Sequence, residues 1–316
     1  MSNSLKTPVV FVIFNRPETT EKVFEAIRKA RPEKLLVVAD APRPGHPTDT
    51  ERCAATRAII GRVDWNCEVL TNYAETNMGV GPRLSSGFDW VFNLVEEAII
   101  LEDDCLPHPT FFRFCEEMLN RHRHDTRVTS VSGHNMQLGH SRTPHSYYYS
   151  RYNHIWGWAT WRRTWQLYDF KMKLWPVVKE ENVLASILET PKSVRIWSKI
   201  FQELYDGMTF TWDYQLTFAC WINNGLGIIP DVNLVSNIGH GSGATNTHES
   251  DSPYSNLPTA EMQFPLRHPP YVVRNFAADQ FTENTLFDYQ PSLGKRIRRK
   301  LRKTILPALP HENIAS

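Results

Sequence analysis

Apolar runs alternate with amphipathic stretches along the first third of the chain. The apolar runs are typical of strands buried in a parallel sheet, and they fall at residues 9–14, 34–39, 67–72 and 98–104. Between them, apolar residues recur at helical spacing after Pro17, over about 50–61 and in the crossover segment GFDWVFNLVEEA. This order predicts a doubly wound α/β sheet, in which ligands bind beyond the carboxyl ends of the strands.

Polar residues follow directly after three of these strands. Asn15 and Arg16 follow the first strand, Asp40 follows the second, and Glu-Asp-Asp at 102–104 ends the fourth. Three adjacent carboxylates repel one another, and proton sharing or a counter-ion must relieve the repulsion. Because Mg²⁺ and Mn²⁺ accept such oxygen ligands, the triplet indicates a divalent-cation site. A solvated acidic turn that ends the strand is the alternative.

The composition changes after a further predicted helix at 111–122. Residues 147–175 are dense in Tyr and Trp, and a helical stretch at 197–206 leads to FTWDYQLTFACWI. Residues 225–239 are expected to close this part with a pair of strands. The stretch 239–258 is rich in Gly, Ser, Thr and Asn, which is typical of a mobile loop.

Composition excludes several classes of protein. The 316 residues carry 35 basic and 34 acidic side chains, a net charge of +1, so no overall field attracts nucleic acid. The five cysteines are scattered without a CxxC pair, which argues against a disulfide framework or a zinc site and favours a reducing compartment. No apolar run is long enough to span a bilayer. We expect a cytoplasmic protein, or one held peripherally at the inner membrane face.

The C-terminal segment 293–306 is the exception to this neutral balance. It contains seven Lys and Arg residues, and Leu293, Ile297, Leu301 and Ile305 are each four residues apart. An apolar stripe on a cationic helix is typical of a segment that lies on anionic lipid. The alternative is a solvated helix that packs on its own domain.

Six segments of the chain also carry a family resemblance. In order and spacing, PVVFVIFNRPETTEKVFEAI, LLVVADA, AIILEDDCLPHPTFFRF, VTSVSGHN, IWGWATW and FTWDYQ resemble the nucleotide-diphospho-sugar glycosyltransferases of the GT-A fold. They are most similar to the N-acetylglucosaminyltransferase I type and its bacterial relatives. The likeness spans about residues 8–240. It implies a mixed, mostly parallel sheet flanked by helices, with an acceptor-side C-terminal lobe.

The domain organisation predicted on this basis has three parts. They are a glycosyltransferase domain at 1–240 with a donor half at about 1–133 and an acceptor half at about 134–240, a flexible loop and C-terminal extension packing on the domain at 241–290, and a basic amphipathic tail at 291–316.

The resemblance implies separate roles for the residues at the strand ends. Asp104 would coordinate Mn²⁺, or Mg²⁺, bridging the donor diphosphate. Asp103 would face the ribose, and Glu102 a hydroxyl of the donor sugar. Arg16 matches an arginine near the nucleotide and phosphates, and Asp40 matches the acid that reads the uracil edge. For Asp40, an acidic start to a Pro-rich turn remains the alternative.

A second set of residues is predicted to contact the sugars. Arg83 matches a basic residue directed at the donor, the alternative being a solvated helix start. Trp156, Gly157 and Trp158 match an acceptor-side loop of the family. Indole faces stack on sugar rings, so the two tryptophans could hold the donor sugar or the acceptor. The alternative is that they belong to the core, where aromatic residues are more often found. The pair His134-Asn135 aligns with a loop near the active site.

Asp213, in FTWDYQ, matches the family's catalytic aspartate. An inverting transfer needs a carboxylate that takes the proton of the acceptor hydroxyl as that oxygen attacks the anomeric carbon. A structural aspartate at a helix start is the alternative. The polar loop that begins at Ser236 resembles a donor-covering flap, and His240 and His248 in it are weak candidates for a metal ligand.

These expectations describe a metal-dependent inverting glycosyltransferase. The donor would be a UDP-sugar, with UDP-N-acetylglucosamine among the candidates, and the acceptor a hydroxyl of a glycan or lipid-linked intermediate in surface polysaccharide synthesis. A sugar-1-phosphate nucleotidyltransferase is one alternative, although it would normally show a Gly-rich loop where this chain has FNRPE. A non-catalytic carbohydrate-binding protein is the other.

Overall fold

The computed structural model describes residues 4–209, 211–239, 254 and 256–287. Its strands are β1 Val9–Ile13, β2 Lys34–Ala39, β3 Glu68–Tyr73, β4 Glu97–Glu102, β5 Cys105–Pro107, β6 Val128–Ser132, β7 Tyr147–Ser150, β8 Trp158–Trp161, β9 Leu226–Pro230 and β10 Val235–Asn237. Its helices are α1 Pro17–Ala30, α2 Asp49–Ile60, α3 Val80–Leu94, α4 Thr110–His122, α5 Arg162–Trp165, α6 Trp175–Glu180, α7 Leu184–Ile187, α8 Pro191–Tyr205, α9 Asp213–Ile222 and α10 Phe276–Thr282, followed by a π-helical turn, Glu283–Phe287.

Eight strands form one sheet in the order β3-β2-β1-β4-β8-β6-β9-β7. Strands β3, β2, β1 and β4 are parallel neighbours. Strand β8 is antiparallel to both β4 and β6, and β9 is parallel to β6, so β6 and β9 run in the same direction as β4. Strand β7 is antiparallel to β9. The expected mixed, mostly parallel α/β sheet flanked by helices is therefore confirmed.

The continuous apolar run of β1 is explained by burial on both of its faces. Successive side chains of a strand point to opposite faces of a sheet. Phe11 accordingly packs in a cluster on one face of the sheet, whereas Val10 packs in a different cluster on the other. Each fully buried side chain of this size contributes about 1.5–3 kcal/mol through removal of apolar surface from water.

The helices cover the two faces in a way that creates a crevice. Helix α1 contributes Val23, Phe24 and Ile27 to the cluster that contains Phe11, whereas α3 contributes Phe88 to the cluster on the opposite face. The chain runs from β1 outward through β2 to β3 and then returns to β4 on the other side of β1. The carboxyl ends of β1 and β4 thus form the topological switch point, where ligands bind in open α/β sheets.

The part of the chain after β8 has a third, largely aromatic core. It includes Trp175, Trp197, Phe201 and Trp221, contributed by helices α6, α8 and α9. Strands β7, β8 and β9 continue the same sheet as β1–β4, so the two predicted halves of the glycosyltransferase domain share one sheet.

The strands predicted at 225–239 form, but they do not pair with each other. Strand β9 joins the large sheet between β6 and β7, whereas β10 pairs antiparallel with β5 in a separate two-stranded sheet. The predicted pair is wrong because each strand finds a partner that is distant in sequence. This arrangement places the residues after β10 beside the end of β4.

In the described part of the chain, none of the helices has the length and apolar character needed to cross a membrane. The basic segment 293–306 lies outside the described residues, as does most of the predicted loop at 239–258. The membrane-surface prediction therefore stays a prediction.

Candidate active site

The switch point brings the first predicted arginine onto the acidic triplet. Arg16 follows β1, and its Nη1 donates to Oδ1 of Asp103 at 3.3 Å and to Oδ2 of Asp104 at 2.6 Å. The backbone N–H of Phe14 donates to the other oxygen of Asp103 at 3.0 Å. Because β1 and β4 are adjacent and parallel, residues that follow them in sequence meet at one edge of the sheet.

The triplet concentrates more negative charge than one guanidinium neutralises. Burial raises the pKa of Glu102, and the neighbouring carboxylates of Asp104, Asp103 and Asp213 raise it further. Burial also raises the pKa of Asp103, with the charge of Asp104 adding to the effect and Arg16 opposing it. A second positive charge would allow these carboxylates to remain ionised together.

Asp213 joins this cluster from a distant part of the chain. It is the first residue of α9, and Trp212 before it is buried against the α3 face of the sheet. Burial raises the pKa of Asp213, while hydrogen bonds from the Thr211 hydroxyl and from backbone amides oppose that rise. Its charge acts on Glu102. The structure therefore brings five predicted residues together: Arg16, Glu102, Asp103, Asp104 and Asp213.

Gly239, which no motif in the sequence marks as a site residue, closes one side of this site. The backbone N–H of Ile238 donates to the carbonyl oxygen of Asp104 at 2.8 Å, which continues the pairing of β10 with β5. A Cβ built at Gly239 would overlap the Asp104 carboxylate. Glycine is thus the residue type that lets this backbone approach the acid. His240 and His248, the weak candidates for a metal ligand, lie outside the described residues.

Asp40 joins the end of β2 to the turn before α3 through hydrogen bonds to backbone amides. Its carboxylate accepts hydrogen bonds from the backbone N–H groups of Ala41, Met78 and Gly79, at 2.9–3.1 Å. Gly79 precedes α3 with φ of +79°, so the carboxylate fixes the left-handed turn that starts the crossover helix. This arrangement matches the structural alternative for Asp40 more directly than the uracil contact, which stays a prediction.

Arg83 is buried at the carboxyl ends of β2 and β3. Its Nε donates to the carbonyl oxygen of Ala39 at 3.1 Å, and its Nη2 donates to the carbonyl and side-chain oxygens of Asn72 at 2.6 and 2.5 Å. Burial lowers the pKa of Arg83. The alternative of a solvated helix start is wrong, because only 4% of the residue is exposed. The side chain joins the ends of β2 and β3 to α3, and its predicted donor contact remains untested.

Trp158 occupies the core. It is 1% exposed and packs against Phe88 and Trp212 with ring centroids 6.0 and 5.6 Å apart. A sugar has no access to its indole faces in this position, so its predicted sugar contact is corrected to a core role. The reason is that Trp158 lies within β8, whose side chains alternate into the two buried faces of the sheet.

The rest of the predicted acceptor loop lies next to the acid-bearing strands. Trp156 is partly buried and meets the ring of His134 edge to face at 4.7 Å. Gly157 has φ of +65°, and a Cβ there would lie 2.6 Å from Val235. Asn135 is buried and donates to the carbonyl oxygen of Pro230 at 2.6 Å. His134 and Asn135 are thus packed inside the protein, and Trp156 keeps the most accessible ring of this group.

The donor set at the triplet suits a hard divalent cation. Asp104 offers carboxylate oxygens at the edge of the site, with 14% of its side chain exposed, and the surrounding charge is negative. Within the described residues, however, no group of three His, Cys, Asp or Glu side chains is arranged to hold a metal ion. Arg16 binds Oδ2 of Asp104, so a cation that uses this oxygen would share it with the guanidinium or displace the guanidinium.

Comparison with known proteins gives only partial likenesses. No protein-family model and no curated protein matches the sequence. A solved structure of a mannosyltransferase from Pyrobaculum calidifontis in complex with GDP-Man and Mn²⁺ is similar over 52% of this chain and 47% of its own, with 16% identity and a TM-score of 0.37. A UDP-glucose pyrophosphorylase complexed with UDP-glucose is similar over 46% of this chain and 62% of its own, with 12% identity and a TM-score of 0.26.

The chain therefore spans about half the length of the first of these structures and under two thirds of the second. Both likenesses are weak and partial.

Proposed function

We propose that this protein is a metal-dependent glycosyltransferase that transfers a sugar from a nucleotide diphosphate donor, with UDP as the expected nucleotide, to a hydroxyl group of a glycan or lipid-linked acceptor. The observation that supports this proposal is the convergence of Arg16, the acidic triplet and Asp213 at the switch point of the sheet. None of these residues would support the proposal by itself.

The proposed division of labour follows from charge and position. Arg16 is the cation that would meet the donor phosphates when a metal ion takes its place on Asp104. A divalent cation held by Asp104 would act as Lewis acid for the leaving diphosphate, so that no protein acid is needed. Asp103, held by the Phe14 amide and Arg16, would face the ribose, and Glu102 a sugar hydroxyl.

Asp213 would be the base. Its raised pKa makes its carboxylate a better proton acceptor than an exposed aspartate, and base catalysis is most efficient when this pKa lies near the working pH. In this proposal it takes the proton of the acceptor hydroxyl as that oxygen attacks the anomeric carbon from the side opposite the diphosphate, which inverts the configuration there.

The first test is release of the nucleotide diphosphate from a panel of UDP- and GDP-sugars, with and without Mn²⁺. Wild type is compared with Asp104→Ala and with Glu75→Ala, which removes an exposed carboxylate elsewhere. We expect Mn²⁺-dependent hydrolysis of one donor that is lost only in Asp104→Ala. Absence of both turnover and nucleotide binding with every donor would rule the proposal out.

A parallel assay separates the two enzyme classes. Pyrophosphate release from a nucleoside triphosphate and a sugar 1-phosphate would identify a nucleotidyltransferase instead. Once an acceptor is found, the anomeric configuration of the product, read by NMR, decides between inversion and retention.

A further inference from the structure

A hollow of about 410 Å³ opens at the end of the sheet opposite the acid cluster. It lies between the C-terminal end of α4, the turn that enters β6, strand β7 and residues 269–272. Since β6 runs in the same direction as β4, the residues just before β6 lie at the amino-terminal edge of the sheet. A five-residue strand spans roughly 17 Å, so the hollow is separate from the proposed active site.

A buried imidazole with an unpaired nitrogen forms part of its wall. His122 is 5% exposed, and no hydrogen-bond partner for its Nε2 is present among the described residues. Its ring packs edge to face against Tyr149 at 5.9 Å. Burial lowers the pKa of His122, so the ring is neutral and offers one donor and one acceptor. Buried polar atoms are normally paired. Because this nitrogen has less than 1 Å² of accessible surface, a ligand in the hollow reaches it only if the surrounding side chains move, and His122 serves here as a reporter in the wall.

The mouth of the hollow carries two arginines, Arg121 and Arg127, and one aspartate, Asp125. Arg127 donates from Nε and Nη2 to the two carboxylate oxygens of Asp125 at 2.9 and 2.8 Å. This planar pair neutralises itself and still presents both a donor edge and acceptor lone pairs. Arg121 lies exposed beside it, and Tyr271, which is 55% exposed, lies on the rim.

We propose that this hollow is a second binding site, for a saccharide. Vicinal hydroxyls of a pyranose both donate and accept hydrogen bonds, which the Arg127–Asp125 pair can match at the surface of the hollow. The face of an exposed tyrosine such as Tyr271 stacks on the apolar face of a sugar ring. An inorganic anion is the poorer fit, because Asp125 already neutralises Arg127 and leaves one arginine, Arg121, to balance an anion's charge. Binding itself does not depend on the proposed transfer reaction, although a role in holding a distal unit of the acceptor would.

The test uses the histidine side chains of the ¹⁵N-labelled full-length protein as reporters, without nucleotide or divalent metal. Free glucose, galactose, mannose, N-acetylglucosamine and inorganic phosphate are titrated separately. The signal of His122 is assigned by His122→Phe, which keeps a ring in contact with its tyrosine neighbour. We expect at least one sugar to shift this signal saturably.

Exposed variants then locate the binding. Tyr271→Ala should weaken the affinity about fivefold, which is the size of one aromatic contact, and Arg121→Ala should also weaken it. Tyr205→Ala removes a comparably exposed tyrosine, at 45%, elsewhere and should change nothing. Asp213→Asn, which would abolish the proposed transfer, should leave this binding intact.

Three results would overturn the inference. In the first, His122 does not shift with any sugar. In the second, His122 shifts with phosphate alone, which would make the hollow an anion site. In the third, sugar binding is equally strong in wild type, Tyr271→Ala and Arg121→Ala.

Discussion

The ends of β4 and β2 carry similar sequence signals but have different structural consequences. At both, an acidic residue follows a buried strand, and a charged partner lies nearby. At the end of β2, Asp40 and Arg83 bind mainly backbone N–H and carbonyl groups of their own protein. At the end of β4, the carboxylates mostly face one another and a single arginine. An acid paired with its own backbone stabilises the fold, whereas acids that repel one another are suited to a cation or ligand.

The largest expected effect is on catalysis. Asp213→Asn should lower the rate of transfer by about 10²–10⁴-fold, because an amide cannot accept the acceptor's proton. Folding stability should be unchanged or slightly higher, since the substitution removes a charge that burial disfavours. Kinetics and denaturant unfolding of the same preparation measure both quantities. Full activity in this variant would contradict the role of Asp213 as base.

At Arg83, the main expected effect is on folding stability rather than on catalysis. Arg83→Met keeps the length of the side chain but removes the buried donor of the Asn72 oxygens and the second donor of the Ala39 carbonyl, which keeps the N–H of Ala74. We expect a loss of about 2–4 kcal/mol in the free energy of unfolding. Urea unfolding measures this loss. A stable Arg83→Met variant that fails to bind the donor would show instead that Arg83 acts on the substrate, as the sequence predicted.

Asp40 offers a smaller version of the same test. Asp40→Ala removes the acceptor for the amides of Met78 and Gly79, and should cost about 1–3 kcal/mol of unfolding free energy. Glu75→Ala, on the exposed turn that follows β3, serves as the control and should stay within about 0.5 kcal/mol of wild type. If Asp40→Ala proves as stable as this control but no longer distinguishes UDP from GDP, then the uracil role is supported and the structural one is not.

The smallest effect is the dependence of stability on pH. Glu102 and Asp103 have pKa values raised in the folded state, so the folded protein binds more protons than the unfolded chain. Stability should therefore fall as the pH rises from the ordinary range of a carboxylic acid, about 4, towards neutrality. Glu102→Gln should flatten this fall, as should added Mn²⁺, measured by thermal unfolding across pH. A steeper fall in Glu102→Gln than in wild type would contradict the repulsion.

Much of the fold could be predicted from local patterns. Strands β1, β2 and β4 appear in the sequence as runs of apolar residues, because a strand that is buried on both faces is apolar at consecutive positions. The helices between them appear as apolar residues at helical spacing. The separate partners of β9 and β10 could not be predicted this way. Strand pairing depends on segments that are far apart in sequence, as β5 and β10 are.

Some residues of the site could also be predicted from local sequence, and others could not. The triplet and Arg16 were visible in the sequence because charged residues directly after buried strands stand out. The same signal at Asp40 was ambiguous, since nothing in the sequence shows which backbone amides will surround a carboxylate. Gly239 gave only the weak signal of a glycine after a short strand, and its closeness to Asp104 depends on the pairing of β10 with β5.

The sequence by itself determined the parallel αβ half, the strand ends at which charged residues gather, and the order of the segments that resemble a glycosyltransferase. Only the tertiary structure decided which of those charged side chains are already paired with other groups of the protein. Arg83 and Asp40 are bound by backbone groups, and Trp158 is enclosed in the core, whereas Glu102, Asp103, Asp104 and Asp213 converge with one arginine among them. The physical reason is that desolvation and charge repulsion depend on distances between segments, and those distances exist only in the folded chain.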